Sequence, residues 1–444
     1  MAMADVKAKP ASDASDAPSA TGAPAPPPTV RPDDVGGELR ASSSAGEGAR
    51  RVLDALLFVP RSLIQIAFIA STETVSFLED QQVVPRARAL LGTEDGKIRV
   101  TPTFSLASGL RPDVGARMTA HEGNFASMLR TSIVDHDTFL TEGRLLLSLG
   151  GNARQQLALE GYQQRHTDLR FGGLGPDPAH DSRNTFLPGH EGSSAVFLER
   201  RERLIIGAAA RVTENVEVLL SSSFQRRQIE DPRESDGDTV AQTFAPGSVP
   251  GAYDQSERFY TEAAIRRDTR AVRGPPAAGF LVEGYVGTSE DARGEYASAI
   301  HTGGRGAWFV SVVRKTSIIS PSITLDMVEP VGEGRLPFRE YAYSAGFRGP
   351  DGRVDRVAAL ASVDYRWQLV PYVAARLFFD TTTVAPRLIA LRTDHLAWAV
   401  GGGIDLHSST TEIGRIGLSY SPNGTQLIFV YGLADRGFGD RQHR

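Results

Sequence analysis

The sequence predicts an all-β protein: a transmembrane antiparallel β-barrel of about 16 strands. A disordered tail and short amphipathic helices are expected before it. Three observations carry this. First, Ser362 to Leu369 alternates strictly, with Ser362, Asp364, Arg366 and Gln368 on one face and Val363, Tyr365, Trp367 and Leu369 on the other. Successive strand residues point to opposite faces, so period two means strand. Second, the polar face gathers Asp, Arg and Gln, while the apolar face is rich in Tyr, Trp and Phe. A soluble sandwich turns its apolar face inward; this pattern fits a polar lumen and a lipid-facing exterior. Third, no run of about 18 apolar residues exists to form a spanning helix. Mean hydropathy is only -0.22, which a barrel tolerates because alternate residues meet lipid.

Residues 1–48 are mostly Ala, Pro, Ser, Asp and Gly. Such a segment buries too little apolar area to offset its ordering entropy and is expected to be disordered. The start, Met1-Ala2-Met3-Ala4-Asp5, shows no basic and apolar leader pattern. Ala2-Met3-Ala4 has the small-x-small form of a cleavage site, so a processed start whose leader was removed is expected on equal terms with an ordinary Ala-rich start. Residues 49–95 change character. Val52, Leu53, Leu56, Leu57, Leu63, Ile64, Ala67, Phe68, Val75, Phe77 and Leu78 recur near helical spacing, punctuated by Pro60 and Pro85. Short helices are expected there, as a plug or periplasmic cap. Residues 96–432 read as the barrel. Candidate strands are 98–107, 114–121, 144–149, 157–166, 194–201, 204–212, 216–224, 259–267, 280–287 and 307–314. The alternating segments between Ser362 and Tyr431 follow, among them one from Tyr372 to Asp380 with Arg376 on its polar side. Long polar stretches at 176–191 and 226–256 read as loops, and 433–444 as a C-terminal tail.

Composition narrows the function. The net charge of -5 and scattered basic residues give no sign of nucleic-acid binding. With no cysteine, disulfides and thiolate chemistry are excluded. The glycine runs at 303–306 and 401–403 are not followed by Lys-Ser/Thr, so they are not phosphate loops. They read as turns or as small residues against a crowded wall. His136 lies between Asp135 and Asp137, but no further ligand is fixed, and a solvated turn is the simpler reading. There is no Gly-x-Ser-x-Gly elbow. No catalytic site, no metal site and no cofactor are expected, and the protein is not read as an enzyme.

Several motifs resemble the bacterial surface antigen barrel of the BamA/TamA-type outer-membrane insertase superfamily. Gly346-Phe347-Arg348-Gly349 resembles the Arg-Gly-aromatic tip of the loop that folds into the lumen there, with Leu336-Pro337-Phe338 upstream. Asp364-Tyr365-Arg366 and Phe378-Phe379-Asp380 resemble motifs of the two following strands. Arg170-Phe171-Gly172-Gly173-Leu174-Gly175-Pro176-Asp177 resembles a pattern of members that lack POTRA domains. The resemblance spans residues 97–432 and implies a POTRA-less member.

In that family the loop Arg is held by acidic residues of the inner wall. Carried over, Arg348, followed by Gly349, would clamp to Asp364 or Asp380. Parity independently puts both aspartates on the lumen side. Arg366 and Arg376 share that face. Tyr365, Trp367, Leu377 and Phe379 are expected at lipid or its interfaces. The resemblance further implies the bacterial outer membrane, a bilayer partner, unfolded outer-membrane or secreted polypeptides as substrates, and a weak seam between first and last strands. A passive pore and a structural, anchoring barrel remain as alternatives.

Overall fold

A computed structural model describes residues 93, 97–106, 112–135, 138–150, 154–233, 235, 237–270, 278–312, 317–370, 373–407 and 412–431. The expectations for the tail, the helices at 49–95, His136 and residues 433–444 fall outside these. Sixteen antiparallel strands form one closed barrel. They are β1 (Ile98–Leu106), β2 (Pro112–Glu122), β3 (Phe125–Asp135), β4 (Thr138–Leu149), β5 (Gln155–Phe171), β6 (Ala195–Arg211), β7 (Val216–Glu230) and β8 (Gln255–Asp268). Then come β9 (Gly279–Asp291), β10 (Ser298–Ser311), β11 (Ser317–Val331), β12 (Val357–Val370), β13 (Val373–Ala385), β14 (Ala397–His407), β15 (Glu412–Ser421) and β16 (Gly424–Tyr431). Among the described residues, β1 meets β16 at Phe104–Tyr431, Ser105–Val430 and Leu106–Phe429.

The sequence reading broke one strand into two and overlooked others. Residues 194–201 and 204–212 form the single strand β6, because the charged pair Glu202 and Arg203 sits within an unbroken alternation rather than in a turn. β3 and β11 were not anticipated, since their Ser and Thr residues dilute the apolar signal. The stretch 226–256 gives its ends to β7 and β8.

The barrel is turned inside out. Along β6, Glu199, Arg201 and Arg203 are buried, whereas Leu204 is 50% and Ile206 62% exposed. Leu220, Phe259 and Ile265 continue the exposed apolar exterior. That is the surface a bilayer requires, because lipid offers no partners to charged groups. Inside, charges meet opposite charges across neighbouring strands. Arg144 on β4 lies 2.8 Å from Glu160 on β5, and Arg266 on β8 is 2.5 Å from Glu283 on β9.

Hairpins alternate between the two ends, which puts the long connections 172–194, 231–254 and 332–356 at the same end. They cap it with an apolar cluster. Phe338 packs tilted against Phe171 at 4.5 Å and meets Phe197 edge-on at 5.2 Å, while Phe244 lies 5.1 Å from Phe171. Gly173–Leu174 and Arg353–Val354 pair as a short parallel ladder that joins two of the loops. Gly173 takes a φ of 102°, a conformation that favours glycine.

Candidate functional site

The loop 332–356 enters the lumen and is fixed near both of its ends. At its far end stands Arg348. Its Nε donates to Asp380 Oδ2 at 2.7 Å and its Nη2 to Asp380 Oδ1 at 2.5 Å. Its Nη1 and Nη2 donate to the two oxygens of Asp364 at 2.7 and 3.2 Å. The Arg348 backbone N–H reaches Asp380 Oδ2 at 3.1 Å, and Ser419 Oγ on β15 donates to the Arg348 carbonyl at 2.5 Å. One guanidinium thus takes two carboxylates in fork geometry, the strongest class of protein hydrogen bond. It also lies 3.7 Å from the centroid of the Phe378 ring, a cation–π contact. Burial opposes the charge, but the hydrogen bonds Arg348 donates to Asp380 and Asp364 outweigh it and raise the Arg348 pKa still further.

Alternation builds this pocket. Asp364 on β12 and Asp380 on β13 share lumen parity, and Asp364 is paired in register with Phe378. A Cβ on Gly349 would lie 2.8 Å from the Phe347 ring and 3.2 Å from Ala399 Cβ, so the tip packs closely there. The glycine run 401–403 lies within β14 rather than in a turn. A Cβ on Gly401 would come within 2.3 Å of Phe378, the ring beneath Arg348. Arg366 and Arg376 also face the lumen, where both turn to Asp405 at 3.4 and 3.3 Å. Arg376 lies a further 3.8 Å from Asp364.

The outer-face residues divide. Phe379 is 47% exposed on the exterior and Leu377 is half-buried. Tyr365 and Trp367 depart from the expected lipid or interface position. They stack at 5.0 Å and are 6% and 0% exposed. Their rings form a compact cluster with Ala375, packed by Val312, Ile319, Leu369 and Leu377. Large aromatic rings bury well against one another and against aliphatic neighbours, and parity alone does not report such cover.

The near end of the loop carries a second clamp that sequence reasoning missed. Arg339 Nε donates to Glu199 on β6 at 3.0 Å. Glu340 accepts from Arg227 Nη1 on β7 at 2.8 Å and lies 3.6 Å from Arg258 on β8. Arg227 also pairs with Glu199 at 2.9 Å. Burial would raise the Glu340 carboxyl, but Arg227 and Arg258 outweigh it and bring it down to about 2. A third tie joins loop to loop: both terminal nitrogens of Arg183 bond Asp355 at 2.8 Å. The loop therefore spans the lumen from β6–β8 to β12–β13 and β15. Among the described residues, none of its ion pairs reaches β1–β4.

Comparison with known proteins bears on this geometry. No protein-family model matches the sequence, and no curated protein does. Solved structures do resemble it. BamA from Haemophilus ducreyi, lacking POTRA domains 1–3, superposes with a TM-score of 0.52 at 14% identity, over 76% of this chain and 70% of that one. CdiB from Escherichia coli gives 0.50 at 9% identity, over 76% of this chain and 62% of that one. The chain folds as a BamA-type barrel. This BamA-type barrel shares the overall fold of those structures at 9–14% identity.

Proposed function

We propose that this chain is a bacterial outer-membrane barrel that assists the insertion or translocation of unfolded polypeptides. The observation that carries the reading is the strapped loop inside a BamA-type barrel. The strap ties β6–β8 to β12–β13 and β15. The arc β1–β4 lies outside these ties, so β1 can part from β16 while the opposite wall keeps its shape. An edge strand exposed by that parting offers unpaired N–H and C=O groups to an incoming strand. Arg348 is then a positioning residue that fixes the loop and touches no substrate.

A passive pore is the weaker reading, because the loop and the phenylalanine cap fill one end of the lumen. A large, steady single-channel conductance would favour it.

The test uses the natural absence of cysteine. Cysteines placed at Ser105 and Val430, which face each other across β1 and β16, should form a disulfide, since cross-strand Cα separations suit one. In proteoliposomes given an unfolded outer-membrane protein, oxidation should stop insertion and reductant should restore it. Equal insertion in both states would remove the proposal.

A further inference from the structure

A cavity of about 130 Å³ lies between the near end of the loop and the wall formed by β6 to β11, partly open to its surroundings. It has room for several waters or one small ion. Its walls hold Arg201, Arg203, Arg227, Arg258 and Arg339. Glu340, Glu262 and Asp326 line it as well, and Glu199 stands behind. Glu199 and Glu340 are committed to Arg339 and Arg227, and Glu340 also lies 3.6 Å from Arg258 Nε. Glu262 accepts from the Tyr260 hydroxyl and Asp326 from the Tyr285 hydroxyl, each at 2.6 Å. Among the described residues, five arginines face four carboxylates there, with Arg201 also donating to Gln225 and Arg203 to Ser223.

Arg258 is the decisive group. It is 1% exposed. Its Nε donates to Ser289 Oγ at 2.7 Å and its Nη2 to the Ala297 carbonyl at 2.9 Å, which holds the guanidinium in place. Its Nη1 is buried and has no hydrogen-bond partner. His301 Nε2, on the same cavity wall, also has none. A buried guanidinium N–H without an acceptor is costly, and such orphans mark missing water or ions. Arginine donors in fixed positions suit carboxylate and phosphate oxygens above other acceptors.

We propose that this cavity binds a small oxyanion of the phosphate class, held by Arg258 Nη1 with His301 beside it and Arg201 and Arg203 supplying positive charge. The site is independent of the insertion function proposed above. Glu340 stands against the anion as a like charge, so it tunes the affinity downward.

The experiment is titration calorimetry on the full-length barrel folded in detergent, with inorganic phosphate in chloride-poor buffer. Saturable one-site binding is expected, weakened at least ten-fold by Arg258→Gln and tightened several-fold by Glu340→Gln. Arg226→Ala, on the outer face of the same wall, should leave it unchanged. Heat-modifiability on semi-native gels checks that each variant keeps the barrel. If Arg258→Gln does not fold, Glu340→Gln decides: tightening supports the site and an unchanged affinity overturns it. No saturable binding to the parent protein, or binding that survives Arg258→Gln, also overturns it. A parallel titration with short-chain phosphatidic acid separates the two sources of phosphate, and binding of the lipid alone would overturn the assignment to a free ion.

Discussion

The two ends of the lumen loop are held by the same chemistry but differ in how they are encoded. At the far end, Arg348 engages Asp364 and Asp380, carboxylates 16 and 32 residues further on, on adjacent strands. At the near end, Arg339 and Glu340 engage Glu199 and Arg227, which are 140 and 113 residues away. The far clamp is one cation between two anions. The near clamp is an alternating lattice of both signs, in which Glu199, Arg227 and Glu340 each touch two partners. Local encoding makes a motif; long-range encoding leaves only charges on the lumen face of a strand. The loop needs both, because a strap fixed at one end does not hold two walls together.

The sharpest way to break this comparison is to orphan one charge at each end. Asp380 and Glu199 are both fully buried, at 0% and 1% exposure. Asp380→Ala removes three of the hydrogen bonds on Arg348. Glu199→Ala leaves Arg227 and Arg339 short of an anion. Removing one partner of a buried pair costs about 3–5 kcal/mol, so both variants should lower the urea midpoint of the refolded barrel by comparable amounts. A small effect at Glu199 beside a large one at Asp380 would show that the near clamp is incidental.

Acid should separate the ends next. The Glu340 carboxyl sits at about 2 against an ordinary value of 4.5. Its folded pKa is depressed, so its stabilisation is fully present above 4.5 and is lost as the pH falls toward 2. A shift of that size is worth about 3 kcal/mol. Between pH 5 and 2 the parent barrel should lose stability more steeply than Glu340→Gln, measured by urea unfolding at each pH. Parallel curves would sever Glu340 from the clamp.

How much of this was legible follows from where each signal lives. Barrel, strand alternation and lumen parity could be read directly, because period two is a local property and Asp364 and Asp380 display it. The far clamp could be read because Arg348 lies in a compact Gly-Phe-Arg-Gly tip. The near clamp could not, since the sequence reading ends one strand at Arg201 and starts another at Leu204, and the charged pair Glu202-Arg203 between them hides that β6 is one strand. Only the alternation Glu199, Arg201, Arg203 could have betrayed it. Tyr365 and Trp367 failed for another reason: parity tells which side of the wall a ring is on and says nothing of what packs over it.

Packing gives a middle-sized test of the far clamp alone. Gly401→Ala puts a Cβ 2.3 Å from both Phe378 Cζ and the Leu418 carbonyl oxygen. Overpacking of this kind costs about 1–3 kcal/mol, and it should displace the ring under Arg348 while leaving the near clamp intact. Hydrogen exchange should then rise around Arg348 and stay unchanged at Arg339. Equal changes at both would mean that the loop responds as a single rigid body.

The smallest effect is expected from Arg226→Ala, and it sharpens the whole comparison. Arg226 sits beside Arg227 in the sequence, but alternation sends it to the opposite face of β7. Its side chain is 49% exposed, near Glu257 at 3.2 Å and Glu202 at 3.7 Å. Exposed pairs of this kind are worth about 0–1 kcal/mol, because water and salt screen both charges and the long side chains lose entropy when they meet. Arg227→Ala, one residue on, removes a buried cation from between Glu199 and Glu340 and belongs with the largest losses. Urea midpoints that differ sharply between these two neighbours would show that the barrel's polarity, inward for charge and outward for lipid, sets the worth of each arginine.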